Sequence, residues 1–431
     1  MATIKPFVCV RPSANVVAEV AAPPYDVVNA NDVRQIVSKH PNSFLRITRS
    51  EVDLPELVNP YAPDVYQKAR ENFQLALENN ILIRDNEASL YIYRLSSSDA
   101  SGKSYMQTGI VAVSSVKEYN SGVIKIHEKT KPDKEDDRVR HITSVGAQCG
   151  PAFLVFESND KIDSLINAQV KNAPLYDFKA EDGVQHTVWK VSKSDSDALC
   201  EAYDAIPCVY IADGHHRAKS ASRICERVAD DANHPAQYFL AVSFPTTSVR
   251  VLPYNRVIKK LLLTSSEILN RLEKEFVIAE NATAEPKQKG YFSMFIDNKW
   301  YGLTLKAVSS PSSGCGCCAR LNINSSFSNN VDPVSSLDVS ILQDKVLGPI
   351  FGILDPRTDA NIDFVGGSKG TKELERLVTS KEAQAAFSLY PVSIGDLIEV
   401  ADAGKLMPPK STWFEPKLKS GLFVYEIGAT E

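Results

Sequence analysis

Cys208-Val-Tyr-Ile-Ala-Asp-Gly-His-His-Arg-Ala-Lys-Ser-Ala-Ser-Arg223 is an apolar run that stops at Asp213-Gly214 and restarts with the spacing of a helix. The run predicts a strand, the glycine a turn, and the remainder a helix continuing through Ser220 and Arg223 to Val228. At a helix N-terminus the first backbone N–H groups lack intrahelical partners and the peptide dipoles add, so an anion is favoured there. His215, His216 and Arg217 fall within that first turn. Strand, glycine turn and basic helix start together suggest a phosphate site. An ordinary strand-to-helix turn with surface histidines would account for an Asp-Gly pair alone. Three ionisable side chains in one turn favour a binding or catalytic site.

The chain around this stretch has 431 residues and 43% hydrophobic content, enough for one large or two moderate cores. A net charge of -5 gives no global attraction to a polyanion, so no stable nucleic-acid partner is expected. No stretch approaches the roughly 20 apolar residues of a membrane span, and the start lacks a signal peptide's apolar run. The expectation is a cytoplasmic monomer or homodimer with no membrane partner. Cys315, Cys317 and Cys318 crowd a Ser-, Gly- and Asn-rich tract at 308–330, but no second cysteine or histidine group lies nearby to complete a metal site. That tract is expected to be a flexible insertion.

Pro23-Pro24 fixes an extended backbone and sets Tyr25 and Asp26 on a stiff loop. Asn29 or Asn31 caps a helix through Ser38, and a second helix spans 62–79. Alternating or continuous apolar runs predict strands at 90–94, 108–114, 151–156, 208–211, 237–242, 249–252, 291–296 and 300–306, with helices at 265–275 and 369–377. The pattern is α+β, with mixed sheets and packed helices. We expect a first domain at 1–240 carrying the phosphate turn. The second, at 241–431, carries the 308–330 insertion and a proline-rich C-terminal loop, Asp402–Gly421, that is a candidate cover for the site. Ile362-Asp-Phe-Val-Gly-Gly-Ser-Lys-Gly370 offers another glycine turn, without the spacing of a P-loop.

Lys131 to Arg138 mixes charges of both signs. One reading is a solvated helix laced with ion pairs. The other assigns Glu128, Asp136 or Asp137 to a divalent cation and turns Lys134 and Arg138 toward phosphate. Mg²⁺ needs only one or two carboxylates beside the substrate's phosphates.

Ala22-Pro-Pro-Tyr-Asp-Val, Lys125-Ile-His-Glu-Lys-Thr, Lys134-Glu-Asp-Asp-Arg138, Tyr210-Ile-Ala-Asp-Gly-His-His-Arg217 and Met407-Pro-Pro-Lys-Ser-Thr-Trp-Phe-Glu-Pro-Lys417 together resemble the DUF1015 family over almost the whole chain. The Gly214-to-Ala221 turn is also similar to the phosphate box of the ParB and sulfiredoxin superfamily, which includes kinases of free serine. These resemblances imply a ParB/sulfiredoxin-like nucleotide- or phosphate-binding core, in which Gly214 and the following amides would cradle phosphate, Arg217 would bind it bidentately, and His215 or His216 would meet the transferring group. They also imply a kinase that moves phosphate from pyrophosphate, ATP or ADP to the hydroxyl of free L-serine. The product would be O-phosphoserine, a precursor for cysteine biosynthesis.

Phosphoryl transfer needs in-line positioning and charge compensation, which a guanidinium, a helix N-terminus and Mg²⁺ supply. Asp213, Asp26 and Glu128 compete as the acceptor's base, and Asp213 is preferred because it adjoins the turn. Tyr25, Asp26, Lys410, Ser411 and Thr412 are the expected substrate contacts. The chief alternative is a ParB-like nucleotide-binding or nucleotide-hydrolysing regulatory protein. A phosphoester hydrolase could use the same cradle. A sulfiredoxin-type reductase would need a cysteine where His215 and His216 stand.

Overall fold

The computed structural model describes residues 1–55, 58–99, 102–306 and 332–428. The 308–330 tract, with its three cysteines, lies outside the described residues. The chain forms two units, Met1–Arg250 with Pro416–Glu431, and Val251–Glu415. The first unit extends beyond residue 240 because Tyr238–Pro245 is an inner strand of its main sheet. The C-terminal segment returns to the first unit, where Val424–Glu426 pairs with Cys9–Pro12 and with Ala147–Gln148 in a small four-stranded sheet.

The main sheet of the first unit comprises β1 (Ile4–Lys5), β2 (Tyr91–Ser98), β3 (Ser104–Ser115), β4 (Ile124–Lys125), β5 (Ala152–Phe156), β6 (Tyr176–Lys179), β7 (Gln185–Lys190), β8 (Val209–Asp213) and β9 (Tyr238–Pro245). Their order is β4-β8-β5-β9-β3-β2-β7-β6, with β1 on β3. The sheet is mixed: β8 runs parallel to β4 and β9 parallel to β5, while the other pairs are antiparallel. Strand β5 is a continuous apolar run because all five of its side chains are buried. Leu154, Val155 and Phe156 have no exposed surface, and burying each such side chain contributes about 1.5–3 kcal/mol.

Two helices bear on the site. Helix α1 (Pro132–Val145) starts on a proline, which needs no N–H partner there, and ends on Gly146 in the left-handed conformation. The charged segment at its start is helical, as one reading expected, but it is not simply solvated: Glu135, Asp137 and Arg138 are buried. Helix α2 (His215–Cys225) follows β8 and buries Ala218, Ala221 and Ile224, with a short 3₁₀ turn extending it to Val228.

The second unit is built on an antiparallel six-stranded sheet in the order Phe276–Glu280, Lys299–Leu305, Tyr291–Ile296, Ala385–Leu389, Tyr254–Ile258 and Ile362–Gly366. The α+β expectation with mixed sheets and packed helices holds for the molecule. Among the described residues, no helix is long and apolar enough to cross a membrane.

A candidate phosphate-binding site

Strands β4 and β8 are parallel neighbours, with Val209 opposite Ile124 and Tyr210 opposite Lys125. Their chains therefore leave the sheet at the same edge, and the residues that follow each strand meet there. In open sheets with parallel strands, ligands collect beyond the strands' carboxyl ends. His127 and Glu128 arrive from one strand, and Asp213, Gly214 and His215 from the other. A bulge helps: the register against β5 shifts between Ile211 and Asp213, leaving Ala212 as the extra residue and re-aiming Asp213.

Gly214 has φ 88°, a left-handed conformation that a Cβ would strain, and it caps α2. A Cβ there would also sit 2.9 Å from Arg217 Nε, so the arginine lies directly over the glycine. Arg217 Nη1 donates to the Pro151 carbonyl, which holds the guanidinium without a carboxylate. Arg217 and Arg138 line one cleft together with Tyr25, His141, Gly150 and Ser420. Arg138 is buried, donates from Nε and Nη2 to Asp137 Oδ2 at 3.0 and 2.7 Å, and stacks over the Tyr25 ring 3.9 Å from its centroid. Burial pushes the Tyr25 hydroxyl up to about 12, against the opposing pull of Arg138. Two guanidiniums in one cleft suit an anion.

Beside the turn, Lys417 Nζ donates to Asp213 Oδ2 at 2.9 Å, and the Gly214 N–H donates to Asp213 Oδ1 at 2.8 Å. Burial alone would raise the Asp213 carboxyl. Lys417, Arg217 and these hydrogen bonds outweigh it and hold the carboxyl well below the usual carboxylate range.

The His127 and His215 rings meet edge to face, 4.6 Å between centroids, and both are buried. Burial lowers His127 to about 4, although a hydrogen bond with the Ile211 backbone and the charge of Asp213 favour its proton. Burial, followed by His127, carries His215 well below the ordinary value. Ligand atoms of His127, Glu128 and His215 all lie within 4.8 Å of one another.

His216 reaches toward the neighbouring helix. Its Nε2 accepts from the Lys131 N–H at 3.0 Å, so it pins the start of α1. Asp136 and Asp137, expected as metal ligands, are adjacent on a helix and so face about 100° apart. Asp136 pairs with Arg223 at 2.7 Å, while Asp137 takes Arg138 and the Tyr66 hydroxyl at 2.9 Å. Lys134 donates to the Tyr61 hydroxyl at 2.7 Å. Asp26 is exposed, and its charge acts on Arg138. Lys410, Ser411 and Thr412 belong to the second unit, where Lys410 lies over the Tyr254 ring and Ser411 donates to the Pro408 carbonyl at 2.6 Å.

The structure thus brings Glu128, Asp213, Gly214, His215, His216 and Arg217 together, with Arg138 and Tyr25 in the adjoining cleft. Two residues escaped the sequence reading, His127 and Lys417. Both stand inside the quoted Lys125-to-Thr130 and Met407-to-Lys417 blocks, which was the available signal. Cys149 also lines the cleft, where burial pushes its thiol up to about 12.

Residues 4–340 match the family described as protein of unknown function, DUF1015. The chain belongs to the DUF1015 family. This DUF1015 chain also bears a distant likeness to solved structures. A free serine kinase mutant in complex with ADP aligns at a TM-score of 0.37 and 14% identity, over 74% of this chain and 92% of that one. A conserved hypothetical protein from Pyrococcus furiosus aligns at 0.35 and 14%, over 73% and 94%. SbnI with a C-terminal truncation, from Staphylococcus aureus, aligns at 0.37 and 10%, over 72% and 87%. No curated protein matches the chain.

Proposed function

We propose that this DUF1015 chain is a small-molecule kinase that moves a phosphoryl group from pyrophosphate, ATP or ADP to the hydroxyl of free L-serine, giving O-phosphoserine. The observation that carries the reading is that Arg138 and Arg217 line one cleft, with Arg217 laid over the left-handed Gly214 at the start of α2. The motif likeness of this turn to the ParB and sulfiredoxin phosphate box supports a core of that kind.

The donor's phosphates occupy the cleft, neutralised by the two guanidiniums and the helix N-terminus. A divalent cation held at Glu128 would add to this charge compensation. The loose transition state of phosphoryl transfer demands charge compensation and alignment more than covalent help. Asp213 is a poor proton acceptor at neutral pH because Lys417 and Arg217 hold it ionised. It serves as a positioning residue for Lys417 and the turn. Glu128, beside His127 and His215, is the carboxylate on the acceptor's side. Tyr25 lines the cleft from its proline-fixed loop, with the exposed Asp26 next to it in the chain. The enzyme works in the cytoplasm as a monomer or homodimer, and its product supplies cysteine biosynthesis.

The test is phosphorus NMR of the purified protein with Mg²⁺ and L-serine, comparing pyrophosphate, ATP and ADP. A phosphoserine resonance is expected with one of these donors. Orthophosphate without phosphoserine would replace the kinase by a hydrolase or a ParB-like nucleotide switch.

A further inference from the structure

We propose that His127, Glu128 and His215 bind one divalent first-row transition-metal ion, of the zinc, manganese or cobalt class, in preference to Mg²⁺. The three side chains reach one point because β4 and β8 are parallel neighbours that end at one sheet edge. Their ligand atoms lie within 4.8 Å of one another. Three nitrogen and oxygen ligands at about 2.0–2.2 Å from a common ion lie about 3.3–3.8 Å apart in tetrahedral or trigonal geometry, so closure from within 4.8 Å asks each ligand atom to move inward by no more than about 0.8 Å.

The donor chemistry discriminates between ions. Mg²⁺ takes oxygen ligands and keeps several waters, whereas imidazole nitrogen suits zinc and its first-row neighbours. Two imidazoles and one carboxylate make a three-ligand set of the kind that leaves positions open for water or substrate. Glu128 is half-buried, and the two rings are buried. The His127 ring is hydrogen-bonded to the Ile211 backbone, the type of outer contact that orients a ligating histidine. His215 Nε2 meets the His127 N–H at 3.5 Å, a contact too long to compete with a metal–nitrogen bond. Asp136 and Asp137 are committed to Arg223 and to Arg138 and Tyr66, so they do not offer a rival all-oxygen set.

On the kinase reading, Glu128 would act through this ion, which would supply polarisation of the acceptor or transferring oxygen.

The experiment titrates the chelator-treated full-length protein with Co²⁺ and follows visible d–d absorption, with Zn²⁺ and Mg²⁺ as competitors. The background carries Cys315→Ser, Cys317→Ser and Cys318→Ser, so that the cysteine tract cannot supply the signal. One Co²⁺ per chain is expected, displaced by Zn²⁺ and not by an equal concentration of Mg²⁺. His215→Ala is expected to abolish the bands, and Glu128→Gln to weaken binding by roughly tenfold or more. Should His215→Ala fail to fold by circular dichroism, the half-buried Glu128→Gln decides. Absence of Co²⁺ bands, or bands that survive both substitutions, overturns the site. Phosphoserine formation with Mg²⁺ and no Co²⁺ site would sink this inference and leave the kinase standing, while a Co²⁺ site without phosphoserine would do the reverse.

Discussion

Lys417 and Asp213 form an ion pair at 2.9 Å across 204 positions of sequence, tying the C-terminal segment to the phosphate turn. The pair keeps Asp213 ionised and leaves Arg217 to the Pro151 carbonyl and the cleft. Lys417→Met removes the cation while keeping the stem's length. Burial then acts on Asp213 with Arg217 as its remaining nearby cation, so the carboxyl rises. In the parent protein the folded carboxyl lies below its ordinary value of 3.8, so its contribution to stability is present above that pH and is lost as pH falls through the folded value. The expected outcome is a shallower acid limb in urea midpoints for Lys417→Met, together with lower stability at neutral pH.

Arg217→Lys keeps the charge but loses the planar fork. Phosphoryl transfer should fall about 10²-fold in kcat/KM, the loss typical of one transition-state donor. Steady-state assays of phosphoserine formation, with circular dichroism to establish an unchanged fold, measure it. Activity equal to the parent's would remove Arg217 from the site.

Gly214→Ala tests the turn itself. A side chain at φ 88° costs about 1–2 kcal/mol, and its Cβ would push on Arg217 Nε from 2.9 Å. Urea unfolding should register that loss. Binding of inorganic pyrophosphate, followed by calorimetry, should weaken by roughly tenfold because the guanidinium is displaced.

His127 and His141 are both held near 4 by burial, and the His141 Nε2–H donates to the Ile47 carbonyl. Below the ordinary value of 6.5 the unfolded chain takes up protons that the folded rings refuse. Stability therefore falls from about pH 6.5 down to about pH 4, by on the order of 3 kcal/mol for each ring. The urea midpoint should decline across that window, and His141→Gln should flatten the slope by about one proton. A midpoint independent of pH there would contradict the burial of these rings.

Adjacent carboxylates on α1 should behave differently. Asp137→Asn leaves the buried Arg138 without its carboxylate and should cost about 3–5 kcal/mol in thermal or urea unfolding. Asp136→Asn touches a pair whose carboxylate is 49% exposed and should change stability by less than about 1 kcal/mol.

Much of this was legible in the chain itself. The Cys208–Ile211 run, Gly214 and the spacing behind it specified strand, turn and helix, because local periodicity and a left-handed glycine need no distant partner. Asn29, which caps Ala30–Lys39 through Asn31 and Asp32, was equally local. The family blocks also named the segments that matter.

Which side chains within those segments act together was a tertiary matter. Asp136 and Asp137 looked equivalent as a pair of carboxylates, yet helical geometry sends one to Arg223 and the other to Arg138 and Tyr66. His127 meets His215 only because β4 and β8 pair in parallel, and strand order depends on the burial of the whole sheet. Lys417 reaches Asp213 only because the chain returns to its first unit after the second. Sequence alone determined the local turn and the apolar patterns that build a core. Only the tertiary structure decided the register and return of distant segments, because long-range pairing is selected by the packing of all the strands at once.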